Sequence, residues 1–187
     1  MKKFNELKKF FLEANLNFFK NNKNLIDAKI SERTLCGALM LELYKLIISN
    51  PEFKGYYVDI EYNRLKVTGD YFIKHMKNRR ISCDLIIHGR GQLDKEDCLL
   101  VLEMKKSNSS QNSKNQDKER LMFLTSQNND NFYNYVIGIY FEINFKKKKV
   151  ELLFYNKGVL VDTKDLDFRK YVKWDSLIIG ILLTIFW

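Results

Sequence analysis

Residues 81–107 read ISCDLIIHGRGQLDKEDCLLVLEMKKS, and this stretch decides the fold. Two short apolar runs, residues 81–88 and 98–104, flank a polar segment with two glycines, the pattern of a β-hairpin. Each run carries one acid in its middle, Asp84 in ISCDLII and Glu103 in CLLVLEM. A carboxylate inside an apolar strand loses its hydration and must be paired, protonated or placed on a cation. If the hairpin is symmetric about its turn, position i faces 187 − i, which sets Asp84 opposite Glu103 and His88 opposite Leu99. Opposed residues hold their Cβ atoms roughly 5 Å apart. Two acids that close repel, and a divalent cation with a preference for hard oxygen ligands resolves the repulsion. Period-two alternation brings Lys105 to the face of Glu103, where an ammonium can orient a water and offset charge growing on a phosphate.

Outward from the hairpin, Phe4, Leu7, Phe11, Ala14 and Phe18 recur at helical spacing and predict an amphipathic helix over residues 3–20. A second helix is expected from about residue 28 to 48, with a stripe of Leu35, Leu39, Leu43 and Leu46. Three residues before Leu35, Glu32 falls on that stripe in the first turn, a further carboxylate for the site if this helix packs over it. Pro51, the only proline, closes the helical region, and strand-like alternation over residues 56–65 follows. After the hairpin, NSSQNSKNQ (108–116) reads as a mobile polar loop and residues 117–125 as a short helix starting near Gln116. Residues 135–145 and 150–155 form a second hairpin with Lys146, Lys147, Lys148 and Lys149 at its tip. The order implies an α/β or α+β fold, a mixed sheet flanked by helices. One domain is expected: an N-terminal helical extension (1–27), a core (28–155) and a C-terminal segment (156–187).

These residues resemble the PD-(D/E)XK nuclease superfamily, the restriction-endonuclease-like fold. Asp84 is followed nineteen positions later by Glu103-Met104-Lys105 on the next strand, and a helix carrying Glu32 precedes both. CDLIIHGRG, LLVLEMKKS and DKERLMFLT are similar to a group of small nuclease-like proteins. The resemblance spans roughly residues 28–145, most specifically 81–105. It implies an α/β restriction-endonuclease-like domain that hydrolyses phosphodiester bonds with Mg²⁺ (or Mn²⁺), most often in DNA. It also implies Asp84, Glu103 and the Met104 carbonyl as metal ligands, Lys105 placing the attacking water and Glu32 assisting. Cys83 stands where the motif's name has proline.

The chain's 32 Lys and Arg against 23 Asp and Glu leave a net charge of +9, which favours a polyanionic partner or serves solubility alone. Candidate phosphate contacts are Arg79, Arg80 and Arg90 at the two ends of the Asp84 strand, and Lys106, Lys118 and Arg120 beyond the Glu103 strand. The lysine run at 146–149 reads as a solvated turn that a duplex backbone could also use. His88 is expected about 13 Å from Asp84, too far for one metal, and reads as a loop-end histidine or substrate contact. Asp117 reads as a helix cap or first-turn acid. Three widely spaced cysteines, Cys36, Cys83 and Cys98, argue against a disulfide scaffold or a zinc finger. The charged N-terminus lacks the apolar core of a secretory signal, so a cytoplasmic location is expected. The uncharged tail LIIGILLTIFW (177–187), about 17 Å long as a helix, is too short to span a bilayer and is expected to bury in the core or in a homodimer interface. The alternative function is a catalytically inactive nucleic-acid-binding or protein-interaction module on the same fold.

Overall fold

The first helix, α1 (Lys2–Asn21), buries Phe4, Leu7, Phe11, Ala14 and Phe18, the stripe that its spacing predicts. The structure is a computed structural model that describes residues 2–67, 69–93, 97–127 and 133–171. The 177–187 tail, with the burial or self-association expected of it, lies outside the described residues. The helix expected over residues 28–48 forms, starting four residues later than expected and preceded by a separate short helix. A short α2 (Lys23–Asp27) stops before Lys29, whose φ of 51° no right-handed helix accommodates, and α3 (Glu32–Ser49) starts afresh. Ser31 caps α3 by accepting a hydrogen bond from the Thr34 amide at 3.2 Å, which makes Glu32 the first helical residue.

A 3-10 turn at Pro51–Phe53 leads into β1 (Tyr57–Tyr62). The alternation over 56–65 does not continue as one strand: Glu61 takes a φ of 52° inside β1, Tyr62 still pairs with Cys83, and the chain then leaves the sheet. It forms two small hairpins that were not foreseen: β2 (Arg64–Val67) with β3 (Asp70–Ile73), and β4 (His75–Met76) with β5 (Arg79–Arg80). Lys77 and Asn78, both at positive φ, make the tight turn of the second.

The deciding hairpin forms from β6 (Cys83–His88) and β7 (Cys98–Lys106). Leu85 faces Leu102, Ile86 faces Val101 and Ile87 faces Leu100, the register expected from the sequence. A bulge then places His88 opposite Cys98 instead of Leu99. The next element, α4 (Gln111–Thr125), replaces most of the expected mobile loop. Ser110 accepts from the Ser113 amide at 3.2 Å and starts the helix six residues before Asp117. β8 (Ile137–Asn144), β9 (Lys149–Asn156) and β10 (Val159–Asp167) complete a six-stranded sheet in the order β1-β6-β7-β8-β9-β10. Only β7 and β8 run parallel, and α4 is the crossover between them that parallel pairing demands.

The protein is therefore a mixed α/β fold whose mixed sheet is covered on both faces. On one face Leu100, Leu102, Met104, Ile139 and Phe141 pack with Phe11, Phe18, Leu35 and Leu39 of α1 and α3. On the other, Val101, Tyr140 and Tyr155 pack with Leu121 and Leu124 of α4. Double coverage explains why β7 is buried from Cys98 to Met104 and reads as a nearly continuous apolar run. α1 is integral to this core, and Phe19 stacks on Phe168 with centroids 5.0 Å apart. Among the described residues no helix is long and apolar enough to cross a membrane.

Gly138 on β8 sets how closely α4 approaches the sheet. A Cβ there would lie 2.9 Å from Thr125 Cγ2 and 3.3 Å from Tyr155 Cβ. Gly138→Val is expected to lift the end of α4 and cost about 2 kcal/mol by overpacking, as urea denaturation would show. An unchanged midpoint would mean that α4 is not seated by this contact.

Candidate functional site

Strand alternation sends Val101, Glu103 and Lys105 of β7 toward α4, while Leu100, Leu102 and Met104 point at α1 and α3. Glu103 is wholly buried. Arg120 of α4 approaches it, with Nη1 2.7 Å from Oε1, yet neither Glu103 oxygen has a hydrogen-bond partner among the described residues. Asp84 stands one residue beyond the last paired position of β6, and its Oδ2 accepts the Met104 amide at 2.8 Å. That bond ties the tip of β6 to the stretch of β7 between Glu103 and Lys105.

Lys105 is half-buried, with Nζ 2.9 Å from Asp117 Oδ2, 3.6 Å from Glu32 Oε2 and 3.4 Å from the Met104 carbonyl. Asp117 is buried in the middle of α4, which overturns its reading as a cap. It holds Lys105 and also meets Arg120, with Nη2 3.4 Å away. The signal was present in the sequence, since Asp117 lies on the stripe of Leu121 and Leu124 and so faces the sheet, but the misplaced helix start hid it. Glu32 arrives from the other side. Its helix covers the face of the sheet opposite Glu103, and Glu32 reaches the cluster at the end of β7, where Oε2 lies 3.6 Å from Lys105 Nζ. Its Oε1 accepts from the Lys106 amide at 2.8 Å and from Ser109 Oγ at 3.3 Å.

Burial, with Asp84 nearby, pushes the Glu103 carboxyl well above the usual carboxylate range in spite of Arg120. Burial raises Asp84 too, against the opposing pull of the Met104 amide and Lys105. For Lys105, burial works against the ammonium, but the bond and charge of Asp117, then Asp84 and Glu32, hold its pKa above the ordinary lysine value. Lys105 is therefore a charged donor at neutral pH.

The donors suit a hard divalent cation. They are two carboxylates and the Met104 carbonyl, and the Glu103 oxygens are fully buried with Arg120 2.7 Å from one of them. Among the described residues no three His, Cys, Asp or Glu side chains converge into a metal-binding group. A raised carboxyl pKa in the folded state means that the fold binds a proton the unfolded chain has released. Wild type should consequently lose stability relative to Glu103→Gln as pH rises above the ordinary glutamate value. Mg²⁺ or Mn²⁺ should raise Tm more at pH 8 than at pH 5.5, because metal and proton compete for the same oxygens. Melts of both proteins across that range, with and without metal, check this, and a metal effect independent of pH would contradict it.

Comparison with protein-family models, curated proteins and solved structures gives no match, so the geometry of the site carries the functional reading.

The expected phosphate contacts are distributed unevenly around this centre. Arg79 and Arg80 are exposed on β5 and line, with Met76, Lys77, Glu119 and Arg120, a cleft of about 410 Å³. Lys118 lies over the Tyr140 ring, 4.7 Å from its centroid. Lys106 donates to the Lys29 carbonyl at 3.2 Å. Arg90 is at the far end of β6, where its Nε donates to Asp59 Oδ2 at 2.8 Å and its guanidinium covers the Tyr57 ring. His88 is there as well, 2.9 Å from Asp59 and buried. The structure thus joins Asp84, Glu103, Lys105, Glu32, Arg120 and Asp117 in one cluster and sets His88 and Arg90 in another. The three cysteines are free and buried, with burial pushing the Cys83 thiol up to about 12 and Cys98 to about 11.

Proposed function

We propose that this chain is a divalent-metal-dependent nuclease of restriction-endonuclease-like fold that hydrolyses phosphodiester bonds, with DNA as the preferred polymer. The observation that carries the reading is Glu103: a wholly buried carboxyl met at 2.7 Å by Arg120, next to Asp84 on the adjoining antiparallel strand and two residues from a charged lysine. Asp84, Glu103 and the Met104 carbonyl would hold the Mg²⁺ or Mn²⁺. When bound, the ion would supply Lewis-acid stabilisation of the charge that develops on the phosphate. Lys105, kept cationic and aimed by Asp117, orients the attacking water and offsets negative charge on the phosphoryl oxygens. It does not act as the base, because it carries its own proton. The water's proton would pass to a non-bridging phosphate oxygen as the new P–O bond forms, and the leaving oxygen takes a proton from solvent as its P–O bond breaks. Arg79, Arg80 and Lys118 are the contacts that would track the backbone, and the +9 charge draws the polymer in irrespective of sequence.

The Arg120–Glu103 ion pair favours a second reading, a binding module whose acids are neutralised by its own cations. Linear, supercoiled, branched and single-stranded DNA, with RNA alongside, separate the two when incubated in Mg²⁺, Mn²⁺ or EDTA. The nuclease reading expects cleavage in either metal and none in EDTA. Salt-sensitive binding of these polymers without cleavage of any would assign the chain to the second reading.

A further inference from the structure

Arg120 belongs to two places at once. Its guanidinium meets Glu103 and Asp117 on the inner side, and its side chain, 22% exposed, also lines the cleft between the β4–β5 hairpin and α4. Among the described residues the other cations of that cleft are Lys77, Arg79 and Arg80, against a single acid, Glu119, which lies 3.8 Å from Lys77. Neither Arg79 nor Arg80 has an ion-pair partner among the described residues, and Arg120 Nε has no acceptor. The cleft is therefore a cationic recess of about 410 Å³ that adjoins the acid centre through one shared residue. Guanidinium groups bind phosphate oxygens in bidentate fashion, so a backbone phosphate seated between Arg79, Arg80 and Arg120 competes with Glu103 for Arg120.

Resting on the nuclease reading, we propose that Arg120 is a latch between polynucleotide binding and metal binding. With the cleft empty, Arg120 is held against Glu103. A backbone phosphate in the cleft draws Arg120 outward and leaves the buried Glu103 oxygens open, where a divalent cation would be held. Coupling of this kind is reciprocal, so whatever removes the hold of Glu103 on Arg120 must tighten polynucleotide binding.

The test is fluorescence anisotropy of a short labelled DNA duplex in EDTA at low salt, where cleavage and metal play no part. The proteins are wild type, Glu103→Gln, Asp84→Asn, Arg120→Gln and the Glu103→Gln/Arg120→Gln double variant, each shown to be folded by circular dichroism. Glu103→Gln should bind the duplex roughly tenfold tighter than wild type, because breaking the pair frees Arg120 for phosphate. Asp84→Asn removes the same charge from the neighbouring strand without freeing Arg120, and should change affinity much less. Once Arg120 is glutamine, Glu103→Gln should add nothing beyond the Asp84→Asn effect. Equal tightening by Glu103→Gln and Asp84→Asn, or tightening that survives in the Arg120→Gln background, would overturn the latch while leaving the nuclease reading in place. No duplex binding by any of the five proteins would overturn the polynucleotide reading, and the latch with it.

Discussion

Asp84→Asn is expected to reduce cleavage by about 10³-fold, the scale on which one electrostatic group aimed at developing charge acts in a transition state. The substitution is nearly isosteric. The amide oxygen of asparagine can still accept the Met104 amide, so the β6–β7 junction should persist. What disappears is the negative charge, and with it most of the attraction for a cation shared with Glu103. Because burial raises Asp84 in the absence of metal, removal of its charge should also leave the apo fold at least as stable as wild type. The expected pattern is activity lost and stability kept. Single-turnover cleavage in Mg²⁺ and a urea titration read the two quantities, and an active Asp84→Asn enzyme would remove Asp84 from the site.

Asp117→Leu is expected to act on both quantities together. Asp117 is the anion held between Lys105 and Arg120, and it is 3% exposed. Removing one partner of a buried ion pair leaves the others uncompensated, which costs about 3 kcal/mol at the low end of such losses. The low end applies because Lys105 keeps Glu32 at 3.6 Å and Arg120 keeps Glu103 at 2.7 Å. Cleavage should fall roughly 10- to 100-fold, as happens when a residue that orients a catalytic group is lost. Asp117→Asn, which keeps shape and one acceptor, should recover most of the stability and little of the activity. Denaturation and cleavage assays of the two variants separate the roles, and an Asp117→Leu protein as stable as wild type would show that the buried triad of charges does not hold α4.

The sequence shows the hairpin at 81–107 plainly because its runs are apolar on both sides of a glycine-bearing turn, and the register of Leu85, Ile86 and Ile87 follows from symmetry alone. The stripe of α1 is equally legible, since its aromatic residues recur at helical spacing. The missed features have local causes. α4 begins with Gln111, Asn112 and Ser113, residues that look like loop and form helix here because Ser110 caps them and Lys114 is anchored to Ser107 and Glu142. That early start moved Asp117 from a cap into the buried centre. The β2–β5 hairpins are too short for a pattern of alternation to reveal them, and β10 is mostly exposed, so its residues carry little apolar signal. For the site, the two strand acids and Lys105 were readable because a charge inside an apolar run is conspicuous. The partnership of Arg120 with Glu103 was not, since it depends on how α4 lies across β7.

The most direct test of the metal centre is anomalous diffraction from crystals grown with Mn²⁺ and a short DNA duplex. The account predicts a peak about 2.0–2.4 Å from carboxylate oxygens of Asp84 and Glu103 and from the Met104 carbonyl, with Lys105 still held by Asp117. Arg120 still paired with Glu103 and no anomalous peak at these oxygens would contradict it.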